Sequence, residues 1–140
     1  MSIQALTVET VVKASLEQVW LCWTLPEHIT QWCQASDEWH APFATNDVRV
    51  GGAFKTTMAA KDGSFSFDFE GVYDEVEPMH VLAYHMSDGR KVHIQMKEEA
   101  EGVRVTERFD PESMNPPEMQ QAGWQAILES FRRYTEQINK

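Results

Sequence analysis

The chain has few basic residues. It carries 12 lysines and arginines against 22 aspartates and glutamates, a formal net charge of −10. Nucleic acids and anionic membrane surfaces are bound through clusters of lysine and arginine. We therefore expect this protein to bind neither of them.

Long apolar runs are also missing. No stretch approaches the ~18 consecutive apolar residues that mark a membrane-spanning helix. Residues 1–5 lack the basic and apolar segments of a secretory signal. These absences predict no membrane insertion and a cytoplasmic location.

The chain has few cysteine or histidine residues that could bind a metal ion or form a disulfide. Its two cysteines, Cys22 and Cys33, lie eleven positions apart with no third or fourth partner, so they form neither a disulfide framework nor a zinc site. Metal-ligand spacing is also missing among the histidines, which are His28, His40, His80, His85 and His93. We expect buried, reduced thiols, no metal and no cofactor.

Motifs of catalysis are absent too. The sequence contains no nucleophile elbow, no phosphate-binding glycine loop and no dinucleotide fingerprint. His85 and His93 have the opposite strand parity to Tyr84 and Ile94, so we expect them on the outer face of a sheet. No catalytic residue is predicted from a motif, and a binding function is favoured over an enzymatic one.

Large apolar side chains are plentiful, and the last 26 residues arrange them most clearly. Asn115 can cap a helix, Pro116 and Pro117 suit a first turn, and Glu118 stands in capping-box position. A stripe at three- and four-residue spacing then predicts an amphipathic helix to about Ile138 with one buried face. Its members are Met119, Trp124, Ile127, Leu128, Phe131, Tyr134, Thr135 and Ile138.

The rest of the chain reads as one strand, two short helices and a long run of strands. Residues 6–12 alternate apolar and polar, and Ser15 can cap a helix with Gln18 as its capping-box partner. Pro26 breaks that helix. From Trp39 onward the period is two, with glycine turns between strands. We predict a single α+β domain over residues 1–140.

Four segments together resemble a known family. They are Val19-Trp20 with Leu25-Pro26-Glu27 and Trp32, the turn at residues 47–52, the segment 71–78, and Gly123-Trp124 with Leu128. In order and spacing the chain resembles the START-like superfamily, and within it bacterial domains similar to the activator of the heat-shock-protein-90 ATPase. The resemblance implies a helix-grip fold: a curved antiparallel sheet of six to seven strands around the C-terminal helix, enclosing an apolar cavity. It implies no single activity, because relatives bind lipids or polyketides and a few catalyse reactions.

The inner-face residues are candidates for lining that cavity, and core packing is the alternative for each. Methionine-rich linings suit irregular apolar ligands. Gly123 costs about 1 kcal/mol relative to alanine inside a helix, which favours close approach of the sheet at that point. The candidates are Trp32, Phe54, Phe67, Phe69, Tyr84, Met86, Ile94, Met96, Phe109, Met119, Trp124, Ile127 and Phe131.

Two charged residues are candidates for polar anchors. Glu107 shares the parity of Val105 and Phe109, which predicts an inward carboxyl that is costly to bury unless it is paired or protonated. It is interpreted either as the partner of an arginine or tyrosine, or as a ligand anchor. Arg49 could pin its turn through Asp47 or anchor a ligand at the cavity mouth.

These observations favour a non-enzymatic protein that binds a small hydrophobic or amphipathic molecule between sheet and helix. One alternative, implied by the resemblance, is a module that docks on a chaperone. Another is a small enzyme such as a cyclase or hydrolase, with Glu107, Tyr84 or a histidine as acid or base. The sequence leaves open whether the chain forms a homodimer.

Overall fold

A computed structural model describes residues 5–34 and 36–138. A seven-stranded antiparallel sheet curls around the C-terminal helix, and two short helices follow the first strand. This confirms the predicted α+β helix-grip architecture. The elements are β1 (Leu6–Val12), α1 (Leu16–Thr24), α2 (Pro26–Trp32), β2 (Trp39–Asn46), β3 (Ala53–Ala60), β4 (Ser66–Glu77), β5 (Val81–His85), β6 (Lys91–Glu99), β7 (Gly102–Phe109) and α3 (Pro117–Ile138).

The sheet order is β1-β7-β6-β5-β4-β3-β2. Strands β2 to β7 follow one another as a meander, and β1 pairs with β7 from Leu6 opposite Phe109 to Val12 opposite Val103. The first and last strands are thus neighbours, while β2 forms the far edge. Helices α1 and α2 connect these two edges across the concave face.

Side-chain burial in the sheet follows the predicted period of two. In β6, Val92, Ile94 and Met96 are buried, whereas the residues between them are exposed. The same alternation makes Glu107 an inward residue of β7. The strand parity assumed for these residues is confirmed.

Helix α3 buries a shorter stripe than predicted. Leu128, Phe131 and Thr135 are fully buried, but Met119 is 61% exposed and Ile138 is 39% exposed. The prediction of burial was wrong for Met119 and Ile138, because apolar spacing continues to both ends of a helix whether or not a sheet lies beneath them.

The starts of the helices differ in detail from the prediction. Ser15 Oγ caps α1 by accepting from the backbone N–H of Gln18 at 3.1 Å, as predicted. The Gln18 side chain, however, donates to Cys22 Sγ at 3.2 Å and does not complete the capping box. Helix α3 begins at Pro117, and the Asn115 side chain donates to Glu112 at 2.7 Å.

Two glycines differ in their surroundings. A Cβ atom at Gly123 would meet nothing within 4 Å among the described residues, so the expectation of close sheet approach there was wrong. At Gly71, in β4, a Cβ would lie 2.8 Å from the carbonyl oxygen of His85 and 2.9 Å from the Phe54 ring. Gly71, and not Gly123, is therefore a position at which a neighbouring strand approaches closely.

The arginine of the glycine turn has the structural role that was expected of it. Arg49 Nε donates to Asp47 Oδ2 at 2.8 Å, and both side chains are largely exposed. Arg49 does not line the cavity described below.

Within the described residues, no helix has both the length and the apolar character needed to cross a membrane.

Candidate ligand-binding cavity

A cavity of about 430 Å³ lies between the inner face of the sheet, helix α2 and helix α3. Every one of strands β2 to β7 contributes to it. The lining residues are Trp23, Ile29, Trp32, Cys33, Thr45, Asn46, Phe54, Thr56, Met58, Phe67, Phe69, Tyr73, Leu82, Tyr84, Arg90, Ile94, Glu107, Glu112, Asn115, Trp124 and Ile127.

Most of the sequence candidates meet at this cavity. Those in its lining are Trp32, Phe54, Phe67, Phe69, Tyr84, Ile94, Glu107, Trp124 and Ile127. Four others, Met86, Met96, Phe109 and Phe131, are buried in the core and are not part of the lining. Met119 lies exposed on α3 and lines nothing. The ligand contacts of the lining residues stay a prediction.

The cavity wall is aromatic. Phe54 lies at the centre, with ring centroids 4.5 Å from Tyr84, 5.4 Å from Tyr73 and 5.8 Å from Phe69. Met58 is the one methionine in the lining among the described residues, so the expected methionine-rich lining is not found. Rigid rings thus shape much of the wall, which favours flat apolar groups as ligands.

Trp32 is held in position by both neighbouring helices. Its Nε1–H donates to the Cys22 carbonyl at 2.8 Å, and its own carbonyl accepts from Ser130 Oγ at 2.7 Å. Phe131 packs edge-on against its ring at 4.9 Å. Phe131 therefore supports the cavity from behind Trp32, which explains why it is buried outside the lining.

A polar chain fixes the far wall. Tyr73 donates its hydroxyl to Asn46 Oδ1 at 2.6 Å, and Asn46 Nδ2 donates to the Thr24 carbonyl at 2.8 Å. Burial raises the pKa of Tyr73 to about 12. Tyr73 is thus a neutral wall residue, and its hydrogen bond to Asn46 connects β4 to β2 and, through Asn46, to the end of α1.

Glu107 is the main chemical feature of the cavity. It is 5% exposed and lies in β7 between Val8 of β1 and Ile94 of β6. Among the described residues, no donor hydrogen-bonds to its carboxyl and no cation pairs with it, so the paired alternative is not observed. Burial raises the pKa of Glu107 to about 8. The carboxyl is therefore mostly protonated, and a hydrogen-bond donor, at neutral pH.

Two more neutral donors lie near Glu107. Burial, and secondarily the negative charge of Glu107, raises the pKa of Cys33 to about 12. The same two causes, in the same order, raise the pKa of Tyr84 well above its usual range. Neither group can act as a nucleophile or base near neutral pH. Of these three, only Glu107 can exchange a proton in that range.

Polar residues from two loops lie at one end of the lining. Arg90 Nε donates to Asp88 Oδ2 at 2.7 Å in the turn between β5 and β6. Glu112 accepts the backbone N–H groups of Met114 and Asn115 at 2.6 and 2.9 Å. These bonds, above all the one from Met114, lower the pKa of Glu112, so this end of the cavity carries a carboxylate.

The histidines predicted to face outward do so. His85 Nδ1 lies 2.8 Å from Asp74 Oδ1 on the convex face, and His93 is exposed beside it in β6. Within residues 5–34 and 36–138, no three side chains of histidine, cysteine, aspartate or glutamate are grouped so that they could hold a metal ion.

Comparison with known proteins assigns the family. Residues 13–136 match the family model described as activator of Hsp90 ATPase homolog 1-like protein. The chain belongs to this family. The resemblance seen in the four sequence segments is thereby confirmed, and with it a fold whose members often bind hydrophobic ligands.

Solved structures agree with the assignment. An AHSA1-like protein from Aeromonas hydrophila is 42% identical, with a TM-score of 0.90 over 96% of this chain and 93% of that chain. Chr148 from Cytophaga hutchinsonii is 55% identical, with a TM-score of 0.81 over 94% and 92% of the two chains. NE0264 from Nitrosomonas europaea, at 19% identity and a TM-score of 0.82 over 96% of each chain, shares the fold alone. Among curated proteins there is no match.

Several lining residues of this family member were not among the sequence candidates. Thr56, Tyr73 and Leu82 share strand parity with candidates that were chosen, so alternation alone could have found them. Cys33 and Arg90 lie outside the regular elements, where no periodicity indicates which way a side chain points. Their position depends on how the loops fold back over the sheet.

Proposed function

We propose that this protein binds a small hydrophobic or amphipathic molecule in the cavity between the sheet and α3, without catalysing a reaction. The observation that supports this most directly is the aromatic-walled cavity of about 430 Å³. Ligand pockets of about 300–1,000 Å³ with apolar walls and few polar groups are typical of small-molecule sites. The volume suits a compact ligand of one to three rings better than a two-chain lipid.

The chemistry of the lining supports binding over catalysis. General acid–base catalysis generally needs a second group that complements the first, such as a nucleophile or an oriented acid. Cys33 and Tyr84 are held in their protonated forms, since burial raises the pKa of both. Neither group can therefore act as a nucleophile or base beside Glu107 near neutral pH.

A cavity-filling variant tests the proposal against a matched control. Thr56 and Thr57 are neighbours in β3, and Thr56 lines the cavity whereas Thr57 faces outward and bonds Asp68 at 2.8 Å. Compounds that stabilise the wild type in a thermal-shift screen of aromatic metabolites and fatty acids should not stabilise Thr56→Phe. They should still stabilise Thr57→Phe. Native mass spectrometry should show one ligand per chain.

The opposite pattern would contradict the proposal. If Thr56→Phe retained the wild-type shift for every compound, binding would lie elsewhere on the surface. A crystal structure with the cavity filled by its own side chains would also remove the basis of the proposal.

A small enzyme is the second candidate, and one observation favours it: Glu107 can give up or take a proton near pH 8. The test is to incubate each ligand from the screen with the protein and look for a new product by mass spectrometry. Turnover lost in Glu107→Gln would support an enzyme. Recovery of the unchanged ligand would support binding. The chaperone-docking alternative has only the family description in its favour.

A further inference from the structure

The buried carboxyl of Glu107 is not explained by an entirely apolar ligand. A carboxyl with no hydrogen-bond partner costs free energy in an apolar wall, and an apolar ligand would leave it without one. The neighbouring inward residues of β6 and β7, Ile94 and Val105, are apolar. An aliphatic side chain at position 107 would therefore form a more favourable wall for such a ligand.

The groups that face Glu107 supply no cation. The residue after α2 contributes the thiol of Cys33, and β5 contributes the hydroxyl of Tyr84. Elsewhere in the lining, the hydroxyl of Tyr73 in β4 is bonded to Asn46. Helix α3 contributes Trp124 and Ile127 to the described lining, and neither side chain carries a charge.

The one cation in the described lining is Arg90, which lies at the end of the cavity formed by the two loops. Arg90 is paired with Asp88. Its positive charge also helps to lower the pKa of the Glu112 carboxyl. Glu107 therefore has no fixed positive charge that would favour its ionised form.

From this geometry we propose that neutral Glu107 donates a hydrogen bond to an uncharged carbonyl oxygen of the ligand, so that the protein selects compact aromatic or aliphatic carbonyl compounds. The inference rests on the proposed binding function and names the chemical class of its ligand. A carbonyl oxygen accepts this bond without bringing a charge into the cavity. An ammonium ligand would instead require a buried ion pair, whose desolvation offsets most of the attraction.

The ionisation of Glu107 gives the inference a pH dependence. Burial raises the pKa of this carboxyl to about 8, so the donor proton is present at pH 6 and lost by pH 9.5. An ionised carboxylate would repel the carbonyl oxygen. Affinity for a carbonyl ligand should therefore fall as the pH rises through 8, while affinity for a hydrocarbon of the same shape should change less.

Three probes of nearly the same shape separate the alternatives. They are 2-acetylnaphthalene, which carries a carbonyl, 2-isopropenylnaphthalene, which has a methylene group in place of the oxygen, and 1-(2-naphthyl)ethylamine, which is a cation. Isothermal titration calorimetry of the full chain at pH 6 and pH 9.5 gives Kd for each probe. The variants are Glu107→Leu, which cannot donate, and Glu107→Gln, whose amide donates at both pH values. The control is Glu70→Gln, at an exposed position of β4.

The ketone should bind the wild type about 10-fold more tightly than the hydrocarbon at pH 6, the ratio that one net hydrogen bond provides. This preference should disappear in Glu107→Leu and in the wild type at pH 9.5. It should persist at both pH values in Glu107→Gln. Glu70→Gln should behave as the wild type.

Other outcomes overturn the inference in distinguishable ways. Equal Kd for ketone and hydrocarbon in the wild type at pH 6 would remove the carbonyl preference and leave the proposed function standing. Tightest binding of the amine, lost in Glu107→Leu, would make Glu107 a counter-ion for a cation. If Glu107→Leu does not fold, Glu107→Gln provides the test. A ketone preference that falls with pH in Glu107→Gln as it does in the wild type would overturn the inference. No binding of any probe would remove the proposed function together with the inference.

Discussion

Phe109 and Trp124 stack face to face, with ring centroids 3.9 Å apart and ring planes within 4° of parallel. Phe109 ends β7, and Trp124 lies in the second turn of α3, so this pair fixes the helix on the sheet. Trp124 also packs edge-on against Phe69 at 5.9 Å and lines the cavity. One side chain therefore both anchors α3 and forms part of the candidate binding wall.

Replacing Trp124 should destabilise the fold. Trp124→Ala removes the stack on Phe109 and enlarges the cavity, and we expect a loss of about 3 kcal/mol in the free energy of unfolding. Trp124→Phe keeps an aromatic ring and should lose less than about 1.5 kcal/mol. Urea denaturation followed by far-UV circular dichroism measures both. Equal losses for the two variants would show that the stack contributes little.

The stability of the protein should depend on pH through Glu107. The unfolded carboxyl releases its proton near pH 4.5, whereas the folded one keeps it up to about pH 8. The folded state therefore binds more protons within this window, and the contribution of Glu107 to stability falls as the pH rises from 4.5 to 8. In Glu107→Gln this contribution is absent.

Denaturation of both proteins at pH 5 and pH 8.5 checks that effect. Between pH 5 and pH 8.5, the free energy of unfolding of Glu107→Gln should rise relative to that of the wild type by on the order of 4 kcal/mol, given about 1.4 kcal/mol per pKa unit. Measuring the difference between the two proteins cancels the titration of the surface carboxyls. A difference that stays constant with pH would mean that the Glu107 carboxyl is ionised throughout.

The thiol of Cys33 should react slowly in the folded protein. Burial and the nearby charge of Glu107 raise the pKa of Cys33 to about 12, so very little thiolate is present at pH 8. Because the thiolate is the reactive form, alkylation by iodoacetamide should be at least ~100-fold slower than in urea. Peptide mass spectrometry separates Cys33 from the fully buried Cys22. Rapid labelling of Cys33 in the native protein would contradict the raised pKa of its thiol.

Alanine should have opposite effects at two glycines. At Gly123 a Cβ meets open space, so Gly123→Ala should raise the free energy of unfolding by up to about 1 kcal/mol through helix propensity. Gly71→Ala should lower it by about 1–3 kcal/mol, since its Cβ would press on the Phe54 and Tyr84 rings. Thermal and urea denaturation measure both effects. A destabilising Gly123→Ala would show that the helix has a close neighbour at that point.

The sequence predicts elements better than it predicts their ends. The parity of Val105, Glu107 and Phe109 correctly makes Glu107 an inward residue, because alternation in a strand is a local property. Met119 shows the limit of this reasoning. It lies eight residues before Ile127, a spacing that suits the buried stripe, yet the sheet does not cover the first turn of α3, and nothing local to the helix reveals that.

The sequence predicted an apolar cavity and many of its aromatic residues, but not which inward side chains line it and which pack in the core. Phe54, Phe69 and Tyr84 were identified because aromatic residues alternate on neighbouring strands. Whether an inward side chain lines a hollow or packs in the core was not predictable for Met96 and Phe131, because that depends on the curvature of the sheet and on the height at which α3 crosses it.

By itself, the sequence determined the order of strands and helices, the inward face of most strands and the family. These depend on local periodicity and on turn and capping residues close together in the chain. Only the tertiary structure decided that Cys33 joins Tyr84 and Glu107 in one cavity, since Cys33 lies outside the regular elements and no periodicity shows which way its side chain points. It also decided that the Glu107 carboxyl lacks a cation there, because only the packed arrangement determines which groups a buried charge can reach.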